Sequence, residues 1–229
     1  NMTITDILNR ITFYTSLDTN AYPNTDRLLA INKWYDNLHS IILESQDEWD
    51  FDDSNHSDLP IARTNLTITN SYALPETIYR LNGIYINYGS GFIKANPIDL
   101  NESGFSEEEI SERANVASPL YMIIGNTCKI FPTPTQEVDK GFKVVYERAV
   151  EHFTTSDITT GTKEPGFDRL FHDYIPLGAS LDAGVKFNLI NKADLKNLID
   201  ETETRIRKYY GRKTKDRKFQ FTNFIEDYE

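Results

Sequence analysis

Cysteine is almost missing from this chain: its 229 residues carry one, Cys128. A disulfide within the chain is therefore excluded, and the fold is expected to suit a reducing compartment or to be indifferent to redox. Cys128 sits in an apolar run with Tyr121–Ile124 and Ile130–Phe131 and reads as a buried strand residue, not a nucleophile. Long apolar runs are missing too. No stretch approaches the about 20 residues needed to cross a bilayer, so no membrane role is expected. The first residues lack the charged, apolar and small-residue order of a signal peptide. Cations are in deficit, 24 Lys and Arg against 35 Asp and Glu, for a net charge of −11. That balance argues against a general nucleic-acid binder, which needs clustered cations, and against an anionic membrane surface.

Signatures of catalysis are scarce as well. Gly89-Ser90-Gly91 joins two strand-like runs and opens no helix, so it is not a phosphate loop. His39, His56, His152 and His172 lie in unlike segments, with no Gly-x-Ser-x-Gly elbow or Cys-His signature beside them. Asp50, Asp52, Asp53, Asn55, His56 and Asp58 are dense. A calcium loop, however, needs Gly at its sixth position and Glu at its twelfth, and neither falls in register from Asp50. The stretch reads as a solvated acidic loop. Carboxylate pairs abound, but without a pocket none can be assigned to glycoside cleavage. These absences lead to an expectation of no enzyme, no metal and no cofactor.

What is present begins with aromatics: 13 Tyr, 13 Phe and 2 Trp. Tyr joins an apolar ring to a polar tip and is favoured at contact surfaces. Ile4, Ile7, Leu8 and Ile11 fall at helical spacing behind Thr3 or Thr5 as cap, and a turn-rich break spans Asp18–Pro23. Leu28, Ile31, Tyr35, Leu38 and Ile42, widened by Trp34 and Ile41, predict a longer helix to near Gln46. From Leu59 the period changes to two. Leu66–Thr69 and Ile84–Tyr88 alternate, Leu120–Ile124 and Cys128–Phe131 flank a turn at Gly125-Asn126, and Phe142–Tyr146 is the last clear strand. Ser106–Glu109 reads as a short helix start. After Pro165, one stripe combines Phe167, Leu170, Phe171, Tyr174 and Ile175, with Pro176 expected to kink or punctuate it. Leu181, Val185 and Leu189 continue it, and Leu195, Leu198, Ile199, Ile206 and Tyr209 form a final helix ended by Gly211.

The predicted fold class is α+β. Residues 1–58 and 151–211 form an α-helical bundle, 59–150 an inserted antiparallel β module of sandwich or barrel type, and 212–229 an extended C-terminal tail. Near the end, Arg205, Arg207, Lys208, Arg212, Lys213, Lys215, Arg217 and Lys218 form a basic cluster in an acidic protein. Such a cluster complements the negative end of its helix and an acidic partner, or touches DNA phosphates from inside a ring. Phe219, Phe221, Phe224, Ile225 and Tyr228 follow it. So apolar a tail is costly in water unless it docks, which marks it as a partner-binding segment.

The order and spacing of several segments resemble the head-to-tail connector (adaptor, or neck) proteins of short-tailed and related bacteriophages. The matching segments are Ile7–Arg10 with Tyr14, Tyr22-Pro23, Ala30–Asn32 leading to Ile41-Ile42, and Trp49–Asp53 to Leu59–Ala62. They continue with Tyr72–Pro75, Ile130–Pro134, Tyr146, Phe153–Asp157, and Glu164–Phe167 with His172. The resemblance implies a helical bundle with an inserted β domain, assembling as a homo-oligomeric ring of about twelve copies beneath the portal protein. It implies docking on the portal through a C-terminal extension, which the Phe219–Tyr228 segment fits. Also implied are an extended DNA channel, with transient contact with packaged DNA, and a platform for downstream tail, nozzle or ring proteins. The location implied is the neck or tail of a virion assembled in the host cytoplasm. Two rivals stand beside it: another ring of the same tail, such as a stopper or tail-tube component, and a glycan- or metal-binding module.

Overall fold

The computed structural model describes residues 2–45, 51–76, 78–99 and 104–212. In chain order its elements are α1 (Ile4–Thr15), α2 (Asn24–Ser45), β1 (Ile61–Leu66), β2 (Ser71–Ala73), β3 (Ile78–Asn87), β4 (Phe92–Lys94) and β5 (Asn96–Pro97). Then come α3 (Glu107–Arg113), β6 (Leu120–Ile124), β7 (Thr127–Phe131), β8 (Val138–Arg148), α4 (Thr155–Thr160), a 3-10 turn (Arg169–Phe171), α5 (Tyr174–Lys186) and α6 (Lys192–Tyr210). The class is α+β. The chain divides into two compact units, one built from the segments up to Phe51 and from His152 onward, the other from Asp52–Glu151.

In the helical unit, local chemistry sets where helices begin. Thr3 Oγ1 accepts from the Asp6 amide while the Asp6 carboxylate accepts from the Thr3 amide, a reciprocal cap that starts α1. Thr154 and Asp157 repeat the device at α4. The three-to-four spacing of Ile4, Ile7 and Ile11 puts them on one face, and all three are buried. Ile31, Trp34, Tyr35, Leu38 and Ile42 of α2 are buried by the same logic. The expected end of α2 at Gln46 lies just outside the described residues.

Helix α5 packs against α1, α2 and α6 and is the hub of the unit. Pro176 sits in its first turn, where no intrahelical donor is required, so it marks a break in the stripe after Phe171 and kinks no helix. Past Leu177 its buried residues are Gly178, Ala179, Ser180, Ala183 and Gly184, not the expected Leu181, Val185 and Leu189. Val185 is exposed, and Leu181 and Leu189 are half-buried. Small residues let three helices approach a central one, and that requirement outweighs side-chain hydrophobicity at this position. The half-buried Asn32 side chain supplies a further tie: its Oδ1 accepts from the Phe153 amide at 2.9 Å and its Nδ2 donates to the Phe153 carbonyl at 2.9 Å.

The β unit has two four-stranded sheets, ordered β1-β8-β3-β4 and β2-β7-β6-β5. All pairs are antiparallel except β5 with β6. Leu66, Ile84, Ile86, Phe142 and Val144 from the first sheet share one core with Tyr72, Cys128 and Ile130 from the second, which makes the pair a sandwich. The Tyr72 ring stacks on Phe142 with centroids 4.5 Å apart. Strand alternation sends Phe131 to the opposite face of its sheet, where it packs with Met122 and with Ile110 of α3. The alternation over Leu66–Thr69 does not make one strand. β1 stops at Leu66, Ile68 is exposed, and the Tyr72 hydroxyl bonds the Thr67 amide and carbonyl and the Thr69 carbonyl, fixing a turn there.

Candidate partner-docking surface

The acidic stretch is only partly a solvated loop: Asp50 lies outside the described residues and Asp58 stays exposed, but Asp52 and Asp53 are tied into the fold. Arg148, at the end of β8, donates through Nε and Nη2 to the two oxygens of Asp52, at 3.1 and 2.9 Å, and through Nη1 to Asp58 at 2.7 Å. Asp53 is buried and accepts from the amides of Asn55 and Glu151, both at 2.9 Å. The Arg148 hydrogen bond holds the Asp58 carboxyl below its ordinary value, and the carboxylates raise Arg148 in turn. Residues 52–58 therefore belong with the β unit, whereas the change of period at Leu59 had suggested the helices. Phe51, just before them, stays with the helices, its ring edge-on to Tyr210 and beside His39.

The histidines are separate and structural. His56 reaches the Ala149 carbonyl at 3.0 Å, His152 reaches Asp36 at 2.8 Å, and His172 reaches the Phe167 carbonyl at 3.0 Å. Cys128 lies fully buried in the sandwich core, and burial pushes its thiol up to about 12. Among the described residues no group of three or more His, Cys, Asp or Glu is placed to hold a metal ion. No described helix is long and apolar enough to cross a membrane.

One surface gathers what the sequence singled out. Helix α6 buries Leu195, Ile199, Ile206 and Tyr210 and turns its other side outward. It stops at Gly211, where a Cβ would lie 2.9 Å from the Arg207 carbonyl and 3.3 Å from the Ser45 carbonyl, so close backbone approach requires glycine. Around this end, Arg205, Lys208 and Arg212 border an open groove of about 430 Å³ with Leu170, Phe171 and Tyr209. Leu170 is 59% exposed, although its place in the stripe with Phe167 had predicted burial. The reason is local: residues 169–171 form a 3-10 turn, whose three-residue period buries Phe171 and turns Leu170 out. The turn is capped by Asp168, whose carboxylate accepts from the Leu170 amide at 3.1 Å and from the Tyr209 hydroxyl. That hydrogen bond raises Tyr209 above its ordinary value. The Tyr209 ring meets Phe171 edge-on at 5.2 Å.

The basic cluster is thus divided. Arg205, Lys208 and Arg212 share the groove, while Arg207 turns away and pairs with Glu44 at 2.8 Å. Lys213, Lys215, Arg217 and Lys218 lie outside the described residues, as do Phe219, Phe221, Phe224, Ile225 and Tyr228. The groove's apolar floor escaped the sequence reading because Leu170 and Phe171 fit a buried stripe equally well. The chain matches no known family model, and no curated protein matches it.

Proposed function

We propose that the chain is a non-enzymatic structural subunit of the neck of a tailed bacteriophage. It assembles as a homo-oligomeric ring beneath the portal, docks on the portal through Phe219, Phe221, Phe224, Ile225 and Tyr228, and extends the DNA channel toward the next tail component. The observation that carries this reading is the interrupted architecture. One helical unit is broken after Phe51 and resumed at His152 around a β-sandwich insert that carries one short helix, α3, the arrangement that the connector resemblance implies. Exposed Phe13, Leu29, Val185 and Ile190 on the helical unit add support, because a ring interface would cover apolar side chains of this kind. An acidic net charge suits a channel that DNA crosses without being held.

The test is a pull-down of the chain with assembled portal, comparing full length with a chain ended at Gly211. Loss of binding with the tail supports a portal adaptor docked by its C-terminal segment. Equal binding by both forms removes the tail's role, and binding by neither moves the subunit down the tail or out of the neck.

A further inference from the structure

The groove at the end of α6 has an unusual electrostatic character for this molecule. Several exposed cations elsewhere on the helical unit are paired with carboxylates: Arg10 with Asp173, Lys33 with Asp182, Lys186 with Asp26 and Arg207 with Glu44. The side chains of Arg205, Lys208 and Arg212 make no ion pair among the described residues, although the chain carries 35 acidic residues against 24 basic ones. Three cations with no ion pair among the described residues, around Leu170 and Tyr209, make a site for a segment that alternates apolar side chains with carboxylates.

We infer that this groove receives the chain's own C-terminal segment, residues 219–229, folded back onto the subunit that bears it. Two observations favour this occupant. The first is complementarity. Phe224 and Ile225 would cover exposed Leu170 and the half-buried Tyr209 ring, while Glu226, Asp227 and Glu229 would meet Arg205, Lys208 and Arg212. The second is reach. Residues 213–218 separate Arg212, itself on the groove's rim, from Phe219, and six residues span at most roughly 20 Å when extended. A tether this short holds its segment at roughly millimolar effective concentration, so weak contacts suffice in cis where they would fail between free molecules. Lys213, Lys215, Arg217 and Lys218 fall on the tether and would be repelled from the basic rim, leaving the acidic end as the part that docks. The inference concerns the isolated subunit and does not depend on the portal reading. If that reading also holds, the groove shelters the apolar segment until a partner displaces it.

The test uses the full chain without any partner and follows chymotryptic cleavage after Phe219, Phe221, Phe224 and Tyr228. The charge reversals Arg205→Glu with Lys208→Glu are expected to speed cleavage by roughly 2- to 30-fold, the contribution of two exposed ion pairs. Glu226→Lys with Asp227→Lys should do the same, and the four changes together should restore slow cleavage. Protection should be independent of protein concentration and should weaken with salt. Arg212→Glu, beyond the end of α6, repeats the test without altering the helix, and unchanged thermal melting confirms that each variant is folded. Cleavage of the groove variants at the wild-type rate overturns the inference. Protection that grows with protein concentration also overturns it, by assigning the groove to a neighbouring copy.

Discussion

The Trp34 indole lies flat on the backbone of Gly178: a Cβ at position 178 would fall 2.0 Å from the ring's Cδ2. Trp34 is buried on α2, its Nε1 donates to Asp182 at 3.0 Å on the same face of α5, and its ring meets Tyr174 edge-on at 5.5 Å. The indole is therefore held from three sides and cannot slide away from an added methyl group. Gly178→Ala, which in an open helix would raise intrinsic helix propensity, is expected to destabilise the helical unit by about 3 kcal/mol through overpacking. Chemical denaturation followed by tryptophan fluorescence checks this, and an unchanged or raised midpoint would contradict the packing described.

Arg27 is a buried cation that makes no ion pair with a carboxylate among the described residues. Its Nε donates to the Tyr22 carbonyl at 2.8 Å, Nη2 to the Leu17 carbonyl at 2.9 Å and Nη1 to Thr12 Oγ1 at 2.8 Å. These acceptors belong to the last turn of α1 and the connection to α2, so one guanidinium ties the helix hairpin together. Burial lowers its pKa, yet it remains charged at any ordinary pH. Arg27→Ala leaves buried carbonyls unsatisfied and opens a cavity, and should cost on the order of 3 to 5 kcal/mol. Arg27→Lys, with one point of donation instead of a planar fork, should recover only part of that loss. Equilibrium unfolding of the two variants beside the parent gives the comparison.

His172 makes stability depend on mild acid. Its Nε2 faces the Phe167 carbonyl and so carries the proton, while Nδ1 accepts from the Met2 amide at 3.4 Å. Protonating Nδ1 would set a donor against a donor. Burial lowers the pKa below 6.5, opposed by the Phe167 carbonyl and by the charges of Glu164 and Asp168. A folded-state value below the unfolded one gives stability that is complete above pH 6.5 and is lost as pH falls toward the folded value. Thermal midpoints at pH 7.5 and 5.5 should therefore fall more for the parent than for His172→Gln. Equal slopes would mean that the ring does not titrate differently on folding.

The elements legible in the sequence are those written in local chemistry. Thr3 and Ser106 announce their helices because a cap needs only a side chain and two backbone amides. The Gly125-Asn126 turn between β6 and β7 is legible because Gly125 takes a positive φ of 61°. What misled was packing at a distance. Nothing near Val185 says that α5 will turn its small residues inward to meet Trp34, and the outward turn of Leu170 depends on a 3-10 period that apolar spacing does not distinguish from α-helix. The groove at the end of α6 was half legible for the same reason. Its cations stand out in an acidic chain, whereas its floor is ordinary in sequence and becomes a surface only through the Asp168 cap and the Tyr209 hydroxyl.

Arg148 and Asp53 have a further consequence. Arg148 grips Asp52 and Asp58, and Asp53 receives the Glu151 amide, so the first residues of the β unit are stitched to its last ones. A unit whose two ends are sewn together is a cassette. Its interior can lengthen, shorten or be exchanged without parting its two ends, because the entropy of closing the insert is borne within the insert itself. Variation among proteins built on this plan should therefore concentrate between β1 and β8, with the seam residues as the splice.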